Sequence, residues 1–163
     1  MPRSKHRIDS ETNLLLDSDS TRPDAQSFLQ PGDRISLRID DIAFGGEGVG
    51  HHEGIVVFVP FVAIGENVEL EVTEVKKSFA RGRLLEIREP SRERTTPRCP
   101  HFTACGGCQY QHLSYPVQLS TKRKQLIDLF KRIGGFADPP IEAPIPSPKP
   151  YGYRNRILVR TQY

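Results

Sequence analysis

All three cysteines of the 163-residue chain lie in one short stretch with the spacing Cys99-x5-Cys105-x2-Cys108. Thiolates are soft ligands that bind zinc, copper(I) or iron–sulfur clusters. Gly106 and Gly107 lie inside the close pair, and glycine allows the positive φ that can turn amide hydrogens toward the sulfurs. The residue types and their spacing therefore predict a metal-binding segment.

The residues alone leave several states of these thiols open. In one, the cysteines are free structural groups, although three in so short a span favour a shared ligand. In a second, zinc is bound with His101 or His112 as its fourth ligand, in a Cys3His set. In a third, an iron–sulfur cluster is bound; such clusters normally use four cysteines, so one ligand must come from elsewhere or one iron stays open. A disulfide framework is the poorest choice, because the cysteine count is odd and nothing marks the chain as secreted.

The segment from Cys99 to Leu113, Cys-Pro-x-Phe-x-x-Cys-Gly-Gly-Cys-Gln-x-Gln-His-Leu, resembles the cluster segment of the RNA (uracil-5-)-methyltransferases. The resemblance runs from about Gln30 to the C-terminus. It implies that Cys99, Cys105 and Cys108 hold three corners of a four-iron four-sulfur (4Fe-4S) cluster, with a fourth cysteine further along the polypeptide. It also implies S-adenosylmethionine as a cofactor, in the full-length enzyme only.

The resemblance places the methyl-transfer chemistry elsewhere in such enzymes. There a cysteine adds to carbon 6 of a uracil, and carbon 5 then takes the methyl group. This sequence shows no strand, glycine-rich loop and helix unit for the cofactor, and all its cysteines belong to the cluster motif. We therefore expect no catalytic residue here, and an RNA-binding, cluster-bearing N-terminal part that does not methylate alone. The alternatives are a free-standing RNA-binding module with a structural metal site, and an iron–sulfur redox sensor.

Charge is distributed unevenly along the chain. Residues 1–91 carry 11 Lys/Arg and 16 Asp/Glu, a net charge of −5, whereas residues 92–163 carry 12 and 4, a net charge of +8. A basic half predicts a polyanionic partner, and the resemblance implies RNA, with ribosomal RNA favoured over transfer RNA. No apolar run reaches 18 residues and no signal peptide is visible, so we expect a cytoplasmic monomer without a membrane partner.

Alternating or continuous apolar runs separated by turn residues predict a mainly β fold. The predicted strands cover residues 34–39, 55–59, 68–75 and 79–87. Evenly spaced short strands suit a small OB-like barrel. Four short motifs resemble those of a TRAM domain, whose family implies a five-stranded RNA-binding barrel. They are Pro31-Gly-Asp, Gly45-Gly-Glu-Gly-Val-Gly50, Val59-Pro-Phe and Ile64-Gly-Glu. Residues 45–50 lack the spacing and the following helix of a nucleotide loop, so their glycines are expected to permit bulges and a sharp turn.

The loop from Lys76 to Arg83 sets four cations around the ring of Phe79. Cations bind phosphates, and an exposed ring can stack on a base. In the alternative interpretation, Phe79 faces the core and the cations are only solvated. A second basic and aromatic stretch follows at residues 151–156. The candidate RNA-binding residues are Lys76, Lys77, Phe79, Arg81, Arg83, Tyr153, Arg154 and Arg156.

The chain divides into five predicted regions. These are a disordered tail (1–29), the TRAM barrel (30–90), a cysteine-rich knuckle with one helix (91–136), a proline-rich linker (137–150) and the start of an α+β central domain (151–163). The helix is expected from Tyr115 to Ile133, with Ser114 as its cap. Its apolar stripe is expected to pack in a core and consists of Leu119, Leu126, Phe130 and Ile133.

Overall fold

The computed structural model of the protein describes residues 29–153, 155 and 156. The predicted tail before Leu29, and residues 154 and 157–163 of the predicted central domain, lie outside the described residues. The described part of residues 151–156 contains no strand. Within the described range, no helix is long and apolar enough to cross a membrane.

The prediction of a mainly β fold is confirmed. The strands are β1 (Arg34–Arg38), β2 (Asp41–Ile42), β3 (Glu47–His52), β4 (Ile55–Pro60), β5 (Asn67–Val75) and β6 (Phe79–Glu89), and the helix α1 spans Tyr115–Arg132. They form one curled sheet in the order β1-β5-β6-β4-β3-β2. Neighbouring strands are antiparallel except β4 and β6, which are parallel.

A bend between β1 and β2 accounts for six strands where five were predicted. The Ile39 amide donates to the Glu66 carbonyl beside β5 at 2.9 Å, and the next amide, that of Asp40, donates to Val49 in β3 at 2.8 Å. The two ends of the sheet are therefore consecutive stretches of chain. This bend divides one barrel strand into two and curls the sheet toward closure.

Side chains alternate between the inside and the outside of this curled sheet. On β4, for example, Ile55, Val57 and Val59 are buried and the residues between them are half-buried. Leu29, at the end of the predicted tail, packs into the same core. Such aliphatic side chains contribute about 1.5–3 kcal/mol each when fully buried. The core comprises Leu29, Leu37, Ile39, Ile42, Ile55, Val57, Val59, Val62, Val68, Leu70, Val72 and Ala80.

The glycine-rich stretch has two different roles. Gly45 and Gly46 make the predicted sharp turn, with φ of 100° and 97°. Gly48 and Gly50 lie instead within the regular pairing of β3, where no bulge occurs. A Cβ at Gly48 would come within 2.1 Å of Val62 Cγ2, so close packing inside the barrel requires glycine there.

The helix contacts the barrel through a polar face, and the predicted packing of its apolar stripe is wrong for the described part of the chain. Gln125 is buried, and its Nε2 donates to the carbonyls of Ile42 and Ala43 at 3.1 and 2.7 Å. Lys124 Nζ lies 2.6 Å from an Asp41 carboxylate oxygen. Hydrogen bonds to the carbonyls at the end of β2 therefore attach this polar face to the barrel. The stripe residues left exposed are Leu126, Phe130 and Ile133.

Ser114 precedes the helix as predicted but does not cap it. No hydrogen bond from its side chain to the first turn is present. Its hydroxyl lies 3.3 Å from a carboxylate oxygen of Glu93, to which it donates. Ser114 thus joins the helix start to the connector that precedes the cysteine segment.

Candidate functional site

The three cysteines line one small cavity of about 20 Å³ together with His101. Cys99 is half-buried, whereas Cys105 and Cys108 are exposed. The amide of Cys105 donates to the His101 carbonyl at 3.0 Å, and Gly106 follows with φ of 71°. A tight turn therefore places the three cysteine residues around one small cavity.

The donor types of this pocket fit a soft metal, but its space fits only a small occupant. A cavity of about 20 Å³ has room for roughly one water-sized particle. Among the described residues, no three Cys, His, Asp or Glu side chains approach closely enough to hold an ion. The side chains of Cys105 and Cys108 are open to solvent, and the cavity as it stands does not accommodate a four-iron cluster.

His112 contacts the barrel and is not at the cysteine cavity. Its side chain is fully buried, and Nε2 lies 2.9 Å from the carbonyl oxygen of Val62, to which it donates. Its Nδ1 is buried without a hydrogen-bond partner in the described structure. Burial lowers the pKa of His112, and the bond to Val62 opposes this only partly. Of the two histidines considered for zinc, only His101 borders the thiols.

The lowered pKa of His112 makes a prediction about stability and pH. The unfolded chain takes up a proton near pH 6.5, whereas the native histidine stays neutral to lower pH. Below about pH 6.5 the unfolded state therefore binds more protons, and we expect the free energy of unfolding to fall with decreasing pH. Urea unfolding at pH 8.0, 7.0, 6.0 and 5.5 measures this dependence. A His112→Gln variant, although less stable, should have a flatter profile; an equally steep profile would assign the effect to another group.

A buried ion pair holds the connector against the barrel. Glu66 is fully buried, and Arg94 Nε and Nη2 donate to its two carboxylate oxygens at 2.5 and 2.9 Å. The Ala63 amide donates to the same carboxylate at 2.8 Å, and the Ser91 amide at 3.3 Å. Burial acts to raise the pKa of Glu66, but the Arg94 hydrogen bonds and these amides outweigh it and lower the pKa. This pair places the cysteine segment beside the barrel.

Phe79 lies on the outer surface of the barrel rather than in its core. The buried residues of this part of β6 are its neighbours Ala80 and Gly82. The half-buried Phe79 ring meets that of Phe58 edge-on, with centroids 5.7 Å apart, and Arg81 Cζ lies within 5.7 Å of both rings. The alternative interpretation of Phe79 as a core ring is therefore wrong.

Carboxylates form salt bridges with three of the four cations around the Phe79 ring. Lys76 pairs with Glu74, Arg81 with Glu47 and Glu74, and Arg83 with Glu71. Lys77 is exposed and forms no salt bridge within the described residues. An incoming phosphate would have to replace a carboxylate at three of the four cations.

The second predicted RNA-binding stretch lies at a different place. Tyr153 is exposed and lines a large groove that includes none of the residues from Lys76 to Arg83. Arg156 is exposed, and Arg154 lies outside the described residues.

Three aromatic residues near these surfaces were missed by the sequence analysis. Phe58 belongs to the predicted strand at residues 55–59 and was not considered as a contact residue, although its half-buried ring faces outward. Tyr110 borders the same groove as Tyr153, and nothing in its sequence context distinguishes it. Phe44 is 82% exposed at the tip of the β2–β3 hairpin, and a large ring directly before two glycines was the available signal.

Comparison with known proteins gives consistent matches. A sequence model described as the TRAM domain matches residues 29–85. An uncharacterized RNA methyltransferase of Synechocystis is 44% identical over 127 residues, which cover 78% of this chain and 27% of that protein. One from Nostoc is 42% identical over 131 residues, covering 80% and 28%. The chain thus spans little more than a quarter of the length of these curated relatives.

A solved structure also matches. It is the crystal structure of the Pyrococcus abyssi tRNA (uracil-54, C5)-methyltransferase in complex with S-adenosyl-L-homocysteine. The match has 33% sequence identity and covers 61% of this chain and 21% of that chain, with a TM-score of 0.41.

Proposed function

Because the chain carries a TRAM domain and belongs to the RNA methyltransferase family, we propose that it is the RNA-binding, iron–sulfur-bearing part of an S-adenosylmethionine-dependent RNA (uracil-5-)-methyltransferase. The uracil specificity and the cluster are supported by the motif from Cys99 to Leu113. Ribosomal RNA is the proposed target, since this motif resembles that of the ribosomal-RNA branch. The chain supplies RNA binding, and the methyl transfer itself belongs to other parts of such an enzyme.

The observation that carries the RNA-binding role is the outward position of the Phe79 cluster, which we define as Phe58, Phe79 and Arg81. Two half-buried rings with a guanidinium within 5.7 Å of each offer a stacking surface on the outside of the barrel. Stacking on such rings is tolerant of base identity and contributes about 1–3 kcal/mol per base. Lys77 beside them is available for a phosphate.

Substitutions in the loop test this role by separating stacking from charge. Phe79→Ala is expected to weaken binding of a single-stranded ribosomal RNA fragment by about 1–3 kcal/mol without changing the salt dependence. Replacing Lys76, Lys77, Arg81 and Arg83 with glutamine is expected to flatten the slope of log affinity against log salt by roughly 0.7 for each cation that meets a phosphate. Fluorescence anisotropy at 50–300 mM salt measures both effects.

The matched control for Phe79→Ala is Phe136→Ala, because Phe136 is an exposed ring after the helix. It should leave RNA affinity unchanged. Thermal melting of each variant excludes unfolding as the cause of weakened binding. A quadruple charge variant with wild-type affinity and wild-type salt slope would remove the loop from the RNA interface.

A further inference from the structure

A groove of about 960 Å³ runs between the β2–β3 hairpin tip, the end of the cysteine segment, the helix and residues 150–153. Aromatic rings form much of its lining, and amide side chains occupy positions between them. None of the described residues that line it is acidic. Its aromatic residues are Phe44, Tyr110, Tyr115, Tyr151 and Tyr153, and its amides are Gln109, Gln111, Gln118 and Gln125.

The hairpin tip, the cysteine segment and the helix, which form three walls of this groove, are packed against one another. The turn at Gly46 packs on the cysteine segment so closely that a Cβ there would lie 2.8 Å from Gln109 Cβ. Gln125 joins the helix to the hairpin carbonyls through the two hydrogens of Nε2, and its Oε1 accepts a hydrogen bond from the Tyr110 hydroxyl at 3.4 Å. Preformed clefts of this size with a few placed polar groups are typical ligand sites.

One cation lines the groove, and a second lies over one of its aromatic rings. Lys122 Nζ lies 5.8 Å from the centroid of the Tyr110 ring. Arg98 Cζ lies 4.9 Å from the centroid of the Tyr151 ring. Neither cation has a salt bridge in the described part of the chain, in contrast to the paired cations around Phe79. A polyanion can therefore bind at this rim without displacing a carboxylate.

We propose that this groove binds unpaired bases of single-stranded RNA, with Phe44 and Tyr153 as stacking rings and Lys122 and Arg98 as phosphate contacts. Rings that stack on splayed-out bases, the exposed side-chain amide of Gln109 that can hydrogen-bond a base edge, and a basic rim are the features that single-stranded RNA requires. The proposal rests on the proposed RNA-binding function and adds a second contact surface, separate from the Phe79 cluster. Duplex RNA cannot use it, because its bases remain stacked.

Binding of a fluorescent 12-nucleotide single-stranded RNA and of the same sequence in a duplex tests this proposal. Phe44→Ala is expected to weaken single-strand binding by about 5- to 150-fold, the loss of one stacked base, with an unchanged salt slope. Lys122→Gln should lower that slope by roughly 0.7. Because Phe44 is 82% exposed, its removal should leave the melting temperature unchanged. Photocrosslinking of 4-thiouridine-containing RNA should label peptides that contain Phe44 or Tyr153.

The remaining outcomes separate this proposal from the one on which it rests. If Phe79→Ala weakens binding whereas Phe44→Ala and Lys122→Gln do not, the chain binds RNA but the groove proposal is overturned. If the wild-type protein binds no RNA at all, both fail. If Phe44→Ala changes only the sedimentation coefficient, the groove holds a second copy of the chain, and the proposal is again overturned.

Discussion

Replacing Arg94 with alanine is expected to lower the free energy of unfolding by about 3–5 kcal/mol. The reason is that Glu66 would remain charged and fully buried without its cation. The Phe61 carbonyl, which accepts a 2.9 Å bond from Arg94 Nη2, would lose a partner as well. Urea unfolding at pH 7 measures the loss. Arg88→Ala is the matched control, since its pair with Glu69 lies on the surface and should add little to stability.

The pH dependence of stability tests whether the unpaired carboxylate of Glu66 causes the loss in Arg94→Ala. In the wild type the pKa of Glu66 is lowered, so the contribution of the pair is complete above about pH 4.5 and is lost as the pH falls further. In Arg94→Ala the buried carboxylate instead favours protonation. The stability difference between the two proteins should therefore shrink as the pH falls from 7 toward 4. A difference that stays constant over this range would show that lost packing, rather than charge, destabilises the variant.

Replacing any one of Cys99, Cys105 and Cys108 with serine is expected to abolish metal binding. Anaerobically purified wild-type protein should be brown and contain iron and sulfide in near-equal amounts, because the motif resembles an iron–sulfur segment. The variants should be colourless. Elemental analysis with acid-labile sulfide determination measures both components, and stoichiometric zinc without sulfide would overturn the cluster proposal.

His101 provides the control that separates the two metals. It borders the cysteine cavity, so it is the histidine that could complete a Cys3His zinc site. If an iron–sulfur cluster is bound through the cysteines, His101→Ala should retain iron and sulfide. If zinc is bound, the same change should release it. His112→Gln should spare either metal while lowering stability, because its ring contacts Val62 and not the thiols.

The strands could be predicted because their signal is local. In β5 the apolar residues Val68, Leu70 and Val72 lie two positions apart, and the buried face follows directly. In β6 the same rule fails, because Ala80 and Gly82 point inward and the larger Phe79 points outward. A Cβ at Gly82 would lie 2.3 Å from Leu70 Cδ1, so the interior accepts only small residues there. That constraint comes from another strand and is invisible in the pattern of β6 itself.

The candidate site was predictable only in part, for the same reason. The convergence of Cys99, Cys105 and Cys108 on one cavity follows from a spacing of a few residues. The pair of Glu66 and Arg94 joins residues 28 positions apart, and no pattern in the sequence connects them. The helix periodicity correctly indicated an apolar face. It could not indicate that hydrogen bonds through Gln125, on another face, would attach the helix to the barrel.

The ion pair of Glu66 and Arg94 shows that the TRAM sequence match and the contacts of the folded barrel end at different residues. The TRAM sequence match ends at residue 85. The physical contacts do not end there, because β6 continues to Glu89, Arg94 neutralises the barrel's buried charge, and His112 bonds to Val62. A module that is cut or transplanted at the boundary of sequence similarity would carry an orphaned anion in its interior. We therefore expect the cooperatively folding unit to extend into the cysteine segment.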